Sequence, residues 1–207
     1  MQIRRRSGQG IVHSEVDVKK WAERLPSAQA VRPGCCSGCG AASCPYGQPI
    51  VLVGHGTRER QVRGPLWPGM KPGVLVLRVR RYRCRRCGAV TTVLPRGLVA
   101  RRYYSGGAIG LALLLLGVRG QSMQQVRSAV CAWQVSFESP GQWNTVSKWL
   151  QAVCEKRLYP QVRPWPPAFG FRQRAERVAT TVLSYAPASL GPLRPEEQVF
   201  VGAGLAA

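Results

Sequence analysis

The sequence predicts an α+β protein: a small β ribbon followed by a helical domain. Two observations carry this. Before about residue 100, short β-type runs alternate with Gly- and Pro-rich turns, whereas after Tyr103 apolar residues recur at spacings of three and four. The β-rich part also holds two Cys-x-x-Cys pairs, Cys36/Cys39 and Cys84/Cys87, far apart in the chain and each followed by glycine.

Four segments follow in order. Residues 1–33 read as a basic, irregular N-terminal arm with one weakly amphipathic stretch, Val16–Leu25. Residues 34–98 form the ribbon, with strands expected at Ile50–Val53, Gly73–Cys84 and Ala89–Leu94. Pro65, Pro68 and Pro72, with Gly64, Gly69 and Gly73, mark a loop between the first two strands. Residues 103–158 are the helical domain. Ser105 is placed to cap a helix running to about Leu116, ended by Gly117 and Gly120. Ser122 caps a second helix, whose Met123, Val126, Val130 and Trp133 share a face. Gln134–Gly141 is a loop, and Asn144 or Thr145 begins a third helix with Val146, Trp149, Leu150 and Val153 as its apolar stripe. Residues 159–207 are a Pro-punctuated linker, a helix from about Phe171 to Tyr185 and a short helix near Glu196–Val201.

The charge is lopsided. Thirty Lys and Arg oppose nine Asp and Glu, a formal charge of +21. Such self-repulsion does not help a compact fold and points to a polyanionic partner. A genome rich in arginine codons would explain the arginines but not the scarcity of acids. No Asp or Glu occurs from Arg60 to Phe137, a stretch with 13 Arg and one Lys. An acid-free segment of this kind is an electrostatic footprint for nucleic acid.

The most apolar run, Ala108–Val118, has eleven residues, short of the ~20 that span a bilayer, so it reads as a buried helix and no membrane partner is expected. Arg4–Arg6 are followed by no apolar core, so no export signal is expected. The expected location is the cytoplasm, in association with the nucleoid. In a reducing compartment, metal ligation outranks disulfides for the eight cysteines.

Two residues between paired thiols let both sulfurs of a tight turn reach one ion, and the glycine lets the backbone turn beneath them. Two such knuckles make a tetrahedral four-cysteine site, so Cys36, Cys39, Cys84 and Cys87 are the expected ligands of one structural Zn2+ in a zinc ribbon. Either Cys35 or Cys44 could replace Cys36. Cys131 and Cys154 fall on helix faces as small core residues. A redox role needs a thioredoxin-like context that is missing here, and catalytic zinc usually takes His or carboxylate ligands. Only His13 and His55 are present, and His55 is expected either to end a strand or to contact phosphate.

Candidate nucleic-acid contacts are Arg58, Arg60 and Arg63 after the first strand, Arg78, Arg80, Arg81 and Arg83 along the second, Arg85 and Arg86 at the knuckle tip, and Arg101 and Arg102 before the helices. Strand alternation puts Arg78, Arg80 and Tyr82 on one face, Arg81 and Arg83 on the other. Guanidinium groups suit phosphate contacts, which position a protein without reading sequence; a solvated basic face is the competing reading. The three helices resemble a helix-turn-helix core, whose third helix would present Asn144, Thr145, Ser147, Lys148 and Gln151 to the major groove. A plain helical bundle over the ribbon is the alternative.

The order CSGCG, VLVGHGTRERQVRG, a Pro/Gly loop, LRVRRYRCRRCGAVTTVLP and a serine-capped helical region resembles the N-terminal zinc-ribbon and helix-turn-helix region of bacterial insertion-sequence transposases. It is similar also to short bacterial proteins of that layout without the nuclease domain. The likeness covers about residues 36–150 and implies zinc at the four cysteines and DNA recognition by ribbon and helices. Such transposases carry three carboxylates that hold two metal ions. This chain has one Asp, Asp17, and scattered Glu. The expectation is therefore a zinc-dependent protein that binds double-stranded DNA and is not an enzyme: a transposase-derived protein, or an accessory or regulator of transposition. An RNA or ribosome-associated binder is one alternative, against which stands the placing of Trp133 and Trp149 on apolar faces rather than on an exposed stacking platform. A scaffold docking a transposase or recombinase is another.

Overall fold

The computed structural model describes residues 10–132 and 143–206. It is α+β, with a four-stranded sheet and six α-helices among the described residues. In chain order these are β1 (Gly10–Asp17), α1 (Val18–Glu23), β2 (Leu52–Arg63), β3 (Val74–Cys84), β4 (Val90–Arg96), α2 (Gly106–Gly117), α3 (Met123–Val130), α4 (Thr145–Cys154), α5 (Phe171–Leu183) and α6 (Pro195–Ala206). The sheet order is β1-β4-β3-β2. β3 and β4 are antiparallel, with Arg80 opposite Val93 and Tyr82 opposite Thr91, while β1 lies parallel to β4, with Gly10 opposite Thr91.

The chain divides into two compact units, Met1–Arg60 with Val76–Arg96 and Gln61–Leu75 with Gly97–Ala207. This division is not the one drawn from composition. Residues 10–33, read as an irregular arm, contribute β1 and α1 to the first unit. The turn between β2 and β3 belongs with the helices.

In the first unit, Trp21, Val31, Leu52, Tyr82, Ala89 and Val93 are buried together with Cys36 and Cys84. Asp17 caps α1, its carboxylate accepting from the Lys19 N–H at 2.8 Å. Residues 21–28 then run over β3: the Trp21 indole donates to the Arg78 carbonyl, and the Tyr82 hydroxyl to that of Ala28. Burial along β3 changes face midway. Leu77 and Val79 are buried on one face, Tyr82 and Cys84 on the other.

In the second unit α2 is buried on nearly every side, as expected of a helix that is apolar all round. It packs against α5 and α6 at positions without side chains. A Cβ on Gly107 would lie 2.1 Å from the Phe200 ring, and one on Gly117 2.2 Å from the Glu176 nitrogen. Ser105 caps α2, accepting from the Ala108 N–H at 3.0 Å, and its hydroxyl donates to the Pro65 carbonyl at 2.7 Å. That double use ties the 61–75 turn to the helices. Ser122 and Gln125 form a reciprocal capping box at α3. Trp133 and the loop expected at 134–141 lie outside the described residues. No helix among the described residues is long and apolar enough to cross a membrane.

Candidate metal centre and basic surface

Each knuckle is built by the same local hydrogen bonds. The Cys36 N–H donates to the Ala41 carbonyl and the Gly40 N–H to that of Cys36, both at 2.9 Å. The Cys84 N–H donates to Ala89 and the Gly88 N–H to Cys84, again both at 2.9 Å. Gly40 and Gly88 have φ of 70° and 75°, a conformation that disfavours any residue with a Cβ. The two segments share the pattern Cys-x-x-Cys-Gly-Ala.

The sheet then brings the turns together. The second knuckle joins β3 to β4. The first docks beside it through Ser37, whose hydroxyl is 2.8 Å from that of Thr91 on β4. Gly10 on β1 makes room, because a Cβ there would fall 1.9 Å from the Ser37 oxygen. The four sulfurs of Cys36, Cys39, Cys84 and Cys87 all lie within 4.8 Å of one another. Cys36 and Cys87 are 3.6 Å apart, Cys39 and Cys84 3.8 Å. A tetrahedron with metal–sulfur bonds of about 2.3 Å has an edge of about 3.8 Å, so the donor set fits a single metal ion. The Gly38 N–H points at the Cys36 sulfur at 3.3 Å. Cys36 and Cys84 are buried, Cys39 is exposed and Cys87 lies between. Among the described residues no other group of three or more His, Cys, Asp or Glu converges in this way.

The four thiols perturb one another in opposite directions. Burial opposes a thiolate at Cys36, but the N–H groups of Cys39 and Gly38 and the neighbouring thiols outweigh it and bring the group down to about 7. At Cys87 the Ala89 N–H favours the thiolate, yet burial and the three other sulfurs push the group up to about 12. Four thiolates repel at this spacing, and a divalent cation relieves the repulsion.

The structure chooses among the cysteine alternatives. Cys36 is the clustered residue. Cys35 is exposed and bridges Ala42, and the Cys44 sulfur accepts from the Arg32 guanidinium at 3.3 Å.

The candidate basic contacts separate into groups. Arg58, Arg78, Arg83, Arg85, Arg86 and Arg101 are exposed; Arg60, Arg63, Arg80, Arg81 and Arg102 are half-buried. Arg78 donates to the Thr57 hydroxyl at 3.0 Å. Arg80 is engaged internally, its Nε donating to the Pro26 carbonyl at 2.8 Å. Tyr82 does not join a basic face, because residues 21–28 cover it. Burial lowers the Arg60 guanidinium from its ordinary value, and Arg58 adds to the effect. His55 lies within β2 and is exposed rather than ending a strand. On α4, Asn144, Ser147, Lys148 and Gln151 are exposed and Thr145 is half-buried, while Val146, Trp149, Leu150 and Val153 are buried. Gln151 donates to Glu155 at 3.0 Å.

The pairing of Arg63 with Tyr103 is not legible in the sequence. The Arg63 guanidinium carbon lies 4.9 Å from the centre of the Tyr103 ring, which is 61% exposed. β2 runs to Arg63, ten residues past the end of the strand expected at residues 50–53. Weak alternation through Val53, His55 and Thr57 was the available signal.

Fold and site together define an α+β chain with a candidate four-cysteine metal centre. Comparisons with protein families, curated proteins and solved structures return no match.

Proposed function

We propose that the chain is a zinc-dependent DNA-binding protein, acting by binding rather than catalysis. The observation that carries the reading is the four-cysteine cluster, two of whose ligands, Cys84 and Cys87, lie in the acid-free arginine segment. Thiolate donors at tetrahedral spacing favour zinc. One knuckle carries exposed Arg85 and Arg86 at its tip, with Arg83 beside them, so closing the metal site also fixes cations at one end of the sheet. Five of the nine carboxylates are engaged elsewhere. Asp17 caps α1, and Glu15, Glu155, Glu196 and Glu197 each face an arginine. Phosphate contacts by the ribbon arginines would hold the duplex, and the polar face of α4 would contact bases in helix-turn-helix fashion. The motif order similar to insertion-sequence transposases supports a role as a transposase-derived accessory or regulator, with a transposase or recombinase as protein partner.

The test is fluorescence anisotropy of the zinc-loaded protein at about 0.2 M salt, against the duplex flanking its own gene and a shuffled duplex. The reading expects a preference of tenfold or more, about 1.4 kcal/mol. Equal binding to both removes the sequence-specific part, and tighter binding to RNA of the same length redirects the reading to RNA. Metal analysis of the same sample is expected to give one zinc per chain.

A further inference from the structure

Tyr103 is an unusual exposed aromatic because it is held. The Arg63 N–H donates to the Tyr103 carbonyl at 2.8 Å, and the Ser105 N–H donates to the Arg63 carbonyl at 3.2 Å. Arg63 and Tyr104 thus form a parallel bridge between the end of β2 and the entry to α2. The Arg63 guanidinium, steadied by the Gln61 side chain at 3.3 Å, covers the Tyr103 ring, which otherwise faces solvent. Both residues belong to the second compact unit.

Two further cations immediately precede Tyr103 in the chain. Arg101 is exposed and adopts φ of 59°, a left-handed conformation that is unfavourable for a residue with a side chain. Strain of this kind persists only where the surroundings impose it, and it clusters at binding sites. Arg102 follows. Next to the platform, burial raises the Tyr104 phenol and Cys131 adds to it, while the charges of Arg63 and Arg127 pull the other way. Among the described residues the Arg127 Nε is buried with no hydrogen-bond partner.

We propose that Tyr103, backed by Arg63, is a stacking platform for one unpaired nucleobase of a DNA strand, whose flanking phosphates are held by Arg101 and Arg102. A ring immobilised on one face and open on the other loses little freedom when a base stacks on it. Every base has a π-face, so the site selects unpaired geometry rather than sequence. The inference rests on the nucleic-acid reading above and narrows its substrate to duplexes with an unpaired end or bulge.

The experiment uses the full zinc-loaded chain and two labelled DNAs: a blunt duplex, and the same duplex with a two-nucleotide overhang containing 2-aminopurine. The wild-type protein is expected to bind the overhang DNA at least fivefold more tightly and to quench the aminopurine. Tyr103→Ala is expected to abolish both the preference and the quenching while leaving blunt-duplex affinity within twofold; Tyr103→Phe, which keeps the ring, retains both. Blunt binding that falls with the overhang binding in Tyr103→Ala overturns the platform in favour of a structural role. Indifference of the wild-type protein to the overhang overturns it too, with duplex binding intact. Absence of binding to either DNA overturns the DNA-binding reading on which the platform rests.

Discussion

At Cys36 and Cys84 one hydrogen-bonded turn occurs twice, and each copy presents two sulfurs. Removing one ligand breaks the set, so Cys84→Ser is expected to lose the metal and unfold the first unit. Thermal melts with metal analysis check this; a variant that keeps one metal per chain and its full melting temperature refutes the site. Metal affinity is also expected to rise with pH. Cys87 is pushed up to about 12 and keeps its proton at neutral pH, so the metal must expel it. Lowering the pH makes that harder, and competition with a chromophoric chelator between pH 6 and 8 measures the slope. The ligand set was legible in the sequence because a knuckle is local: two residues of spacing and a glycine encode it. The choice of Cys36 over its neighbours was not, because it depends on Ser37 meeting Thr91, 54 positions away. The Arg63–Tyr103 pair likewise depends on a long-range bridge.

Single elements show where periodicity serves and where it fails. The caps at Ser105 and Ser122 and the apolar face of α4 followed from sequence, since capping and three-four spacing are properties of one helix. β1 did not: its half-buried pattern is irregular, and its parallel partner is about 80 residues away. The place of α6 in the core was also hidden, because Gly202 packs by lacking a side chain and Ala203 by a single methyl, which leaves little amphipathic contrast. Ser105 serves α2 and the 61–75 turn together, so Ser105→Ala removes a cap and orphans the Pro65 carbonyl. The expected loss is about 2–3 kcal/mol, read as a shift in the urea midpoint. A loss below about 0.5 kcal/mol would mean that the turn is held elsewhere.

Over the whole molecule the excess of 21 positive charges sets the behaviour in salt. On the DNA-binding reading proposed above, the logarithm of affinity is expected to fall linearly with the logarithm of salt concentration, and Arg85→Ala with Arg86→Ala to flatten the slope by about two. Binding should weaken alike on every sequence, whereas Lys148→Ala on α4 should change preference among sequences; anisotropy titrations from 50 to 300 mM salt separate the two. Composition revealed the charge but not its disposition, because Arg80 is spent inside the first unit and Arg78 on Thr57.

The duplicated turn has a kinetic side. Each knuckle closes within six residues, yet Cys39 and Cys84 are 45 positions apart. An unfolded chain therefore offers two independent two-sulfur claws joined by a long tether. An ion caught by one claw needs only one encounter with the other, and that encounter brings β1, β3 and β4 into reach of each other. Refolding from denaturant is thus expected to be fastest near one equivalent of zinc. It should slow again at several equivalents, when each claw captures its own ion and one must leave before the tether can close. A stopped-flow series across zinc concentrations reads this directly; a rate that only climbs and levels off would mean that the claws do not form ahead of the fold.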